Sequence, residues 1–233
     1  MKFDSSRVTF SKSDSLKGLV MPESPSSELA EEIGLHLGDG SMNFYKGRGF
    51  YQLRGDINSD RAHYESVIKP LYKKLYNLDV NLRDMPSDSV YGFQIWSQAL
   101  VSFKAHALKL PLGFKRDFDV PWFIIGNDDY KKSFVRGVFD TDGTLYLEKK
   151  NGSLYPRIEI TTISNLFAQR LLKILKSLDF RATMNTSPAR ENKLPNYKVC
   201  CRGRQMLSKW MSEVSPHNQK FVDKYQLFLA SCD

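Results

Sequence analysis

The sequence predicts an α+β protein made of two similar halves, and three observations lead to this prediction. A helix-like segment ending in Asp-Gly occurs twice, at Asp39-Gly40 and Asp142-Gly143, 103 residues apart in a chain of 233. After each copy, apolar and polar residues alternate as in paired β-strands. Amphipathic helical patterns then follow in the same order. Self-similarity at about half the chain length indicates an internal repeat, here of the form αββαββα.

Both Asp-Gly segments have the features of a complete helix. Each contains the pattern Gly-x-x-x-small-Asp-Gly, from Gly34 and from Gly137. Capping residues precede both, namely Ser26 or Ser27 in the first copy and Asn127 with Asp128 and Asp129 in the second. Small residues one turn apart, Gly34 with Gly38 and Gly137 with Thr141, would let another backbone approach closely. We expect Gly40 and Gly143 to end the helices in the left-handed conformation.

The two aspartates favour a cation site. A helix C-terminus carries partial negative charge, and Asp39 and Asp142 would each add a full charge there. Two such ends packed together call for hard divalent cations held by carboxylate and carbonyl oxygen, with Mg²⁺ or Mn²⁺ expected. A single Asp-Gly pair usually marks an ordinary turn. The duplication with matched flanks makes a shared metal site for phosphoryl transfer the stronger interpretation.

The two segments resemble the paired motifs of the LAGLIDADG homing endonucleases in their single-chain, two-repeat form. The first copy, 32–40, keeps Gly34, Leu35, Asp39 and Gly40 but has Leu37 at the motif's first Asp position. The second copy, 135–143, keeps Gly137, Asp140, Asp142 and Gly143. The resemblance extends from about Ser26 to the C-terminus.

This resemblance implies an architecture and a site. Two repeats related by a pseudo-two-fold axis would place two antiparallel four-stranded sheets side by side as a DNA-binding saddle, with the motif helices packed at the centre over the minor groove. Asp39 and Asp142 would be the catalytic metal ligands, with the carbonyls of Gly38 and Thr141 as further ligands. Asn58, Thr162, Gln94 and Arg202 are candidates for the polar shell around the metal. Asp140 would cap a helix or pair with another side chain.

The implied function is site-specific, metal-dependent hydrolysis of both strands of a long DNA target by an intron-encoded monomer. Two alternatives stay open: an RNA maturase that binds intron RNA during group I splicing, and a DNA-binding protein that has lost catalysis. The sequence shows no terminal Cys or His-Asn junction of the kind an intein needs, which favours a free-standing endonuclease.

The expected organisation has four parts: an N-terminal arm at 1–25, a first repeat at 26–110, a linker at 111–125 and a second repeat at 126–233. Proline at both ends of 111–121 marks the linker. Beyond the motif helices, helices are expected at 60–75, 98–108, 164–178, 203–214 and 217–230. Strands are expected at 41–45, 50–58, 80–83, 90–96, 144–149, 155–162, 181–186 and 197–201. Val67, Leu75 and Leu166 are expected to face the core.

Polar side chains on the outward strand faces and hairpin tips are the candidate DNA contacts, because Arg, Lys and Gln bind phosphates and base edges. They are Lys46, Arg48, Gln52, Arg54, Asp56, Arg83, Lys149, Lys150, Arg157, Glu159, Thr161, Arg181, Asn185, Arg190, Lys193 and Lys198.

Composition supports an anionic partner. The chain has 34 Lys and Arg against 26 Asp and Glu, a net charge of +8, and its pI is about 9.3. This balance favours nucleic acid. No apolar run is long enough for a membrane helix, and no secretory signal is visible, so an intracellular, reducing compartment is expected. The three cysteines and four histidines show no zinc-finger or histidine-metal nuclease spacing.

Overall fold

The computed structural model describes residues 2–85, 88–116, 118–150, 152–189 and 194–231. The first half contains, in order, α1 (Lys12–Leu16), α2 (Ser27–Asp39), β1 (Gly40–Tyr45), β2 (Arg48–Asp56), α3 (Arg61–His63), α4 (Lys69–Tyr76), β3 (Arg83–Met85), β4 (Val90–Trp96) and α5 (Gln98–Ser102). The remainder contains α6 (Trp122–Ile125), α7 (Asp128–Asp142), β5 (Gly143–Lys150), β6 (Ser153–Thr162), α8 (Asn165–Ser177), β7 (Ala182–Ser187), β8 (Asn196–Arg202), α9 (Arg204–Glu213) and α10 (Gln219–Ala230).

The strands form two four-stranded antiparallel sheets with the same topology. Their orders are β1-β2-β4-β3 and β5-β6-β8-β7. Gln52 of β2 lies opposite Gln94 of β4, and Arg157 of β6 lies opposite Arg202 of β8. The prediction of an α+β fold with two repeated sheets is confirmed.

Each sheet packs its apolar face against helices and leaves a polar face open. In β2, Tyr51 and Leu53 are fully buried, whereas Gln52 and Arg54 between them are half-buried. Successive side chains of a strand point to opposite faces, so this alternation follows directly from the sequence. Helix α5 contacts the first sheet at β2, and α8 and α9 contact the second sheet.

Helices α2 and α7 pack side by side at the centre, with backbone against backbone. A Cβ atom on Gly34 would lie 2.3 Å from the Phe134 carbonyl oxygen, and one on Gly137 would lie 2.1 Å from the Glu31 carbonyl oxygen. Only glycine allows this approach, because any side chain would overlap the facing backbone. Ser26 and Asn127 cap the two helices through their side chains, as the sequence predicts.

The prediction that Gly40 and Gly143 adopt the left-handed conformation is wrong. Both residues have φ near −82° and an extended backbone that continues directly into β1 and β5. Glycine is required at both positions because a side chain would not fit there, and not because the backbone is left-handed. A Cβ on Gly40 would lie 2.4 Å from His36 Nδ1, and one on Gly143 would lie 2.2 Å from Phe139 Cδ2.

The helix expected at 60–75 is interrupted, which changes its buried face. A π-helical turn at Tyr64–Ile68 joins α3 to α4. The wider turn shifts the helical phase. Val67 and Leu75, expected in the core, are only half-buried, and Ile68, Tyr72 and Tyr76 are buried instead. A second π-helical turn, Phe103–Ala107, replaces the end of the helix expected at 98–108.

Two further expectations differ from the structure, and the structure also shows where the N-terminal arm packs. The strand expected at 80–83 lies instead at Arg83–Met85. Leu166, expected in the core, is 42% exposed, because it lies in the first turn of α8. The N-terminal arm packs on the body through Asp14, which accepts hydrogen bonds from the backbone N–H groups of Gln98 and Ala99 at the start of α5. The residue limits of the four parts of the chain stay a prediction.

The Gly34–Gly137 contact generates a stability prediction. Gly137→Ala forces the α2 and α7 backbones apart, so we expect it to lower the free energy of unfolding by about 2 kcal/mol or more. Gly126→Ala is the control, because Gly126 has a right-handed helical backbone and no atom within 4 Å of its added Cβ. Urea denaturation of both variants measures the difference. Equal stability of the two would contradict the close packing.

Candidate active site

The C-terminal ends of α2 and α7 bring the two predicted aspartates together. A Cβ built on Gly38 would lie 2.0 Å from Thr141 Oγ1 and 3.5 Å from Asp142 Cγ. The residue before Asp39 therefore touches the end of the other helix, and the Asp142 charge acts on the Asp39 carboxyl. Two carboxylates and two negative helix ends share one small region.

This crowding makes ionisation of both carboxyls costly. Burial, reinforced by the charge of Asp142, raises the pKa of Asp39 to about 7. Burial raises the pKa of Asp142 to about 6, and the Lys115 ammonium opposes the increase. Asp142 still opens to solvent, which screens its charge and makes its ionisation the less costly of the two.

Lys115 is a site residue that the sequence did not reveal, because it lies in the linker. Its Nζ donates hydrogen bonds to the carbonyl oxygens of Leu37 at 2.6 Å, Gly38 at 2.7 Å and His36 at 3.2 Å. The ammonium thus occupies the negative end of α2. Burial lowers the pKa of Lys115, and the charges of Asp142 and Asp39 oppose that shift.

Lys220 is the corresponding basic residue near Asp39. It lies in α10 and donates to Asp60 Oδ1 at 2.6 Å, and its charge lowers the pKa of Asp39. Lys115 follows Asp39 by 76 residues and Lys220 follows Asp142 by 78. This matched spacing is the signal by which the sequence could have identified the pair. Each lysine follows one repeat and acts on the aspartate of the other.

Asp39 is also held by a hydrogen bond and by close packing. Tyr64 Oη donates to Asp39 Oδ2 at 3.0 Å. A Cβ on Gly55 would lie 2.9 Å from the same carboxylate oxygen. Tyr64 begins the π-helical turn, so that irregular backbone positions a donor at the site.

A cavity of about 340 Å³ opens beside Asp142 and Lys115. Its wall includes Thr161 and Thr162 at the end of β6 and the exposed side chain of Phe114. Of the four polar-shell candidates, Thr162 is the one that lines this cavity in the described chain.

The other three candidates lie elsewhere. Asn58 is exposed in the turn after β2, where its backbone N–H donates to Asp56 Oδ1. Gln94 connects Arg83 to Gln52 through side-chain hydrogen bonds on the open face of the first sheet. Arg202 lies opposite Arg157 on the second sheet.

Most of the predicted DNA contacts lie on the strands of the two sheets or at the hairpin tips, and several are already paired. Arg54 pairs with Asp88, Arg157 with Glu148, and Arg181 with Gln205. Arg48 stacks over the exposed Trp96 ring at the β1–β2 tip, near Lys46. Thr161 and Asn185 both lie opposite Lys198, and Lys149 and Lys150 are exposed at the β5–β6 tip. Arg190 and Lys193 lie outside the described residues.

Two acidic members of that set have other contacts. Glu159 is on the same sheet face as Arg157 and Thr161, but it is only 5% exposed, because it pairs with Lys198 at 2.8 Å and lies 3.8 Å from Arg157. Asp56 is exposed, but its Oδ1 accepts the backbone N–H groups of Asn58 and Ser59. Those bonds give it a role in the turn.

The donor set fits a divalent metal. Asp39 and Asp142 are oxygen donors with raised pKa values, and both lie at carbonyl-rich helix ends. The Lys115 ammonium sits on three of those carbonyls, so this position accepts a cation. Mg²⁺ and Mn²⁺ prefer such oxygen ligands.

Fold and site together define a two-repeat α+β protein with a paired-helix carboxylate centre. Residues 129–214 match the family model of a LAGLIDADG-like domain. The structure of I-DmoI in complex with DNA and Ca superposes with a TM-score of 0.58 at 19% identity, over 82% of this chain and 91% of that one. The resemblance to single-chain LAGLIDADG proteins is confirmed.

Two curated relatives match parts of the sequence. The homothallic switching endonuclease of Saccharomyces cerevisiae is 32% identical over 96 residues, which are 39% of this chain and 16% of that protein. A DNA polymerase of Thermococcus litoralis is 27% identical over 179 residues, 71% of this chain and 10% of that protein. The chain therefore spans a small part of the length of either relative. No helix in the described ranges is long and apolar enough to cross a bilayer.

The raised pKa of Asp39 predicts how stability depends on pH without metal. In the unfolded chain the Asp39 carboxyl loses its proton near pH 3.8, whereas in the folded protein it loses its proton near pH 7. Between these values the folded state binds more protons, so the free energy of unfolding falls as the pH rises from about 4 to about 7. Asp39→Asn cannot ionise. We expect it to be about 2 kcal/mol more stable than wild type near pH 8.

Urea denaturation in EDTA at several pH values checks this prediction. The gain should shrink as the pH falls and vanish at about pH 3 and below, where the wild-type carboxyl is protonated in both states. Asp129→Asn, at an exposed position in the first turn of α7, is the control. If Asp39→Asn raised the free energy of unfolding by the same amount at every pH, ionisation of Asp39 would not be the cause of the stability difference.

Proposed function

We propose that this protein is a divalent-metal-dependent DNA endonuclease that cuts both strands at a specific long site, as homing endonucleases do. The observation that carries the proposal is the centre itself. Two carboxylates lie at the meeting ends of paired helices, each with a lysine that acts on it, between two sheets with open polar faces. Both halves of the centre come from one chain, so a monomer suffices.

Double-stranded DNA is the proposed substrate. The net charge of +8 favours a polyanion, and the half-buried Gln and Arg side chains of β2 belong to the types that read base edges. I-DmoI, whose fold this chain shares, has been solved with DNA in the presence of Ca or Mn. Each sheet would follow the major groove on one side, with the two aspartates over the minor groove between them.

The residues around the centre have separable roles. A bound divalent metal would supply Lewis acidity toward a phosphate oxygen and lower the pKa of an attacking water. Asp39 and Asp142 would hold it through carboxylate oxygen. Lys115 and Lys220 place positive charge where the phosphate becomes more negative during the reaction, and such preorganised charge accelerates phosphoryl transfer. Tyr64 fixes the orientation of the Asp39 carboxylate.

The first test replaces one metal ligand without changing its shape. Asp142→Asn should abolish Mg²⁺-dependent double-strand cutting of a library of long duplexes, while DNA binding measured in Ca²⁺ is retained, because the charge that holds the metal is lost and the strand faces are untouched. Asp129→Asn on the same helix is the control and should cut like wild type.

The outcomes of this test separate the alternatives. Cutting at one long site by wild type, lost in Asp142→Asn, supports the endonuclease and gives its target. Full activity of Asp142→Asn would refute the metal assignment. Binding without cutting in Mg²⁺ or Mn²⁺ would instead favour a non-cleaving DNA-binding protein, or a maturase if intron RNA binds. An intracellular, reducing location stays a prediction.

A second prediction concerns Lys115. Lys115→Met keeps most of the side-chain volume and removes the charge, so we expect cleavage to slow by about 100-fold or more. DNA affinity should change little, because one ammonium among many basic groups is lost. Single-turnover cleavage rates measure the effect, with Lys176→Met on the exposed face of α8 as the control. A rate equal to that of the control would exclude Lys115 from the reaction.

A further inference from the structure

A second polar cluster joins α2, α7 and the segment between α9 and α10. Glu31 lies eight residues before Asp39, about 12 Å away along α2, and Asp140 lies two residues before Asp142. His217 belongs to the connecting segment. One ligand atom of each of these three residues lies within 4.8 Å of the others. Asp140 points away from Asp142, because residues two apart in a helix lie about 200° apart around its axis.

The contacts within this cluster leave one buried oxygen without a partner. His217 Nδ1 is 2.7 Å from Glu31 Oε1, and its backbone N–H donates to Asp140 Oδ2 at 2.9 Å. Arg136 Nη1 donates to Glu31 Oε2 at 3.0 Å. Asp140 is 1% exposed, and its Oδ1 has no hydrogen-bond partner in the described chain.

An unpartnered histidine lies beside the cluster. His63 is 2% exposed, and neither of its ring nitrogens has a partner among the described residues. The charges of Glu31 and His217 both act on it, so it lies near them. A buried polar atom without a partner is costly and usually indicates a missing ligand or water. Two independent side chains show this feature at one place.

We propose that Glu31, Asp140 and His217 bind a divalent transition metal of the Zn²⁺ class, separate from the catalytic centre. Two carboxylate oxygens and one imidazole nitrogen are the ligands that Zn²⁺ and Co²⁺ accept, whereas Mg²⁺ prefers oxygen alone. Binding would replace the hydrogen bond between His217 Nδ1 and Glu31 Oε1 by bonds from both atoms to the metal, and a proton on Nδ1 would leave to solvent. Asp140 Oδ1 gains the partner that it lacks.

The ion can reach this site without unfolding. His217 is 42% exposed at its side chain. A groove of about 410 Å³, lined by Glu31, His217 and residues of α4, opens beside it. Binding would fasten the connecting segment to both motif helices. That segment continues through Asn218, which donates to the Asp140 carbonyl, to Lys220 near Asp39. The metal would therefore position a residue of the proposed active centre.

The test measures metal binding in the full chain carrying Asp39→Asn and Asp142→Asn, so that the catalytic carboxylates do not contribute. Titration with Co²⁺ should give one bound ion with visible absorption typical of imidazole ligation. Zn²⁺ should displace that ion and raise the Tm. Adding His217→Asn should weaken Co²⁺ binding at least about tenfold and remove the Tm increase. The asparagine amide can still donate to Glu31, so loss of the hydrogen bond alone does not explain such a result.

His106→Ala removes a histidine that packs against Phe44, outside the cluster, and should bind Co²⁺ like the parent. Asp140→Asn is a second variant of unchanged shape, and should also weaken binding. Absence of Co²⁺ and Zn²⁺ binding in the parent would overturn the proposal. Equal Co²⁺ affinity in the parent, His217→Asn and Asp140→Asn would overturn it as well. Neither result would refute the proposed DNA cleavage, because the parent in this test lacks both catalytic aspartates.

Discussion

The backbone contact between α2 and α7 is the constraint on which the structure depends. Gly34 and Gly137 let each helix touch the other's backbone, and both helices then run without a break into the first strands of their sheets. The distance between the helices therefore sets the distance between the sheets. It also determines that the two C-terminal ends, and with them Asp39 and Asp142, share one region.

That arrangement concentrates negative charge, and the rest of the chain supplies compensation from distant segments. Lys115 comes from the linker and Lys220 from α10, and Tyr64 comes from a π-helical turn. A second buried carboxylate, in the first half of the chain, is also compensated by side chains from distant segments. Glu32, fully buried on α2, is held by Lys104 at 2.5 Å and by the hydroxyls of Tyr72 and Tyr76. A buried charge is tolerated only with such complete pairing, so α2 is fixed both by its glycines and by its ion pair.

The features that could be predicted from the sequence are those that recur in both halves or follow the period of a helix or strand. The two Asp-Gly segments, the helix caps and the strand alternation are local patterns, and they gave the architecture and Asp39 with Asp142. Lys115 and Lys220 could not be recognised locally, because a lysine in a linker or a helix has no distinctive neighbours. The π-helical turns also escaped, because periodicity assumes a constant 3.6 residues per turn. The inward Tyr72 and Tyr76, and the position of Tyr64, depend on that irregularity.

The two halves are related in backbone but unequal in chemistry. At the end of α2, an ammonium binds three carbonyls. At the corresponding place on α7, the Asn218 amide donates to the Asp140 carbonyl, and Asn218 also donates to Asp60 of the other half. Asp39 is enclosed and hydrogen-bonded, whereas Asp142 opens to a cavity. A duplicated fold thus surrounds its two aspartates with two different environments, because side chains outside the repeat pattern complete each one.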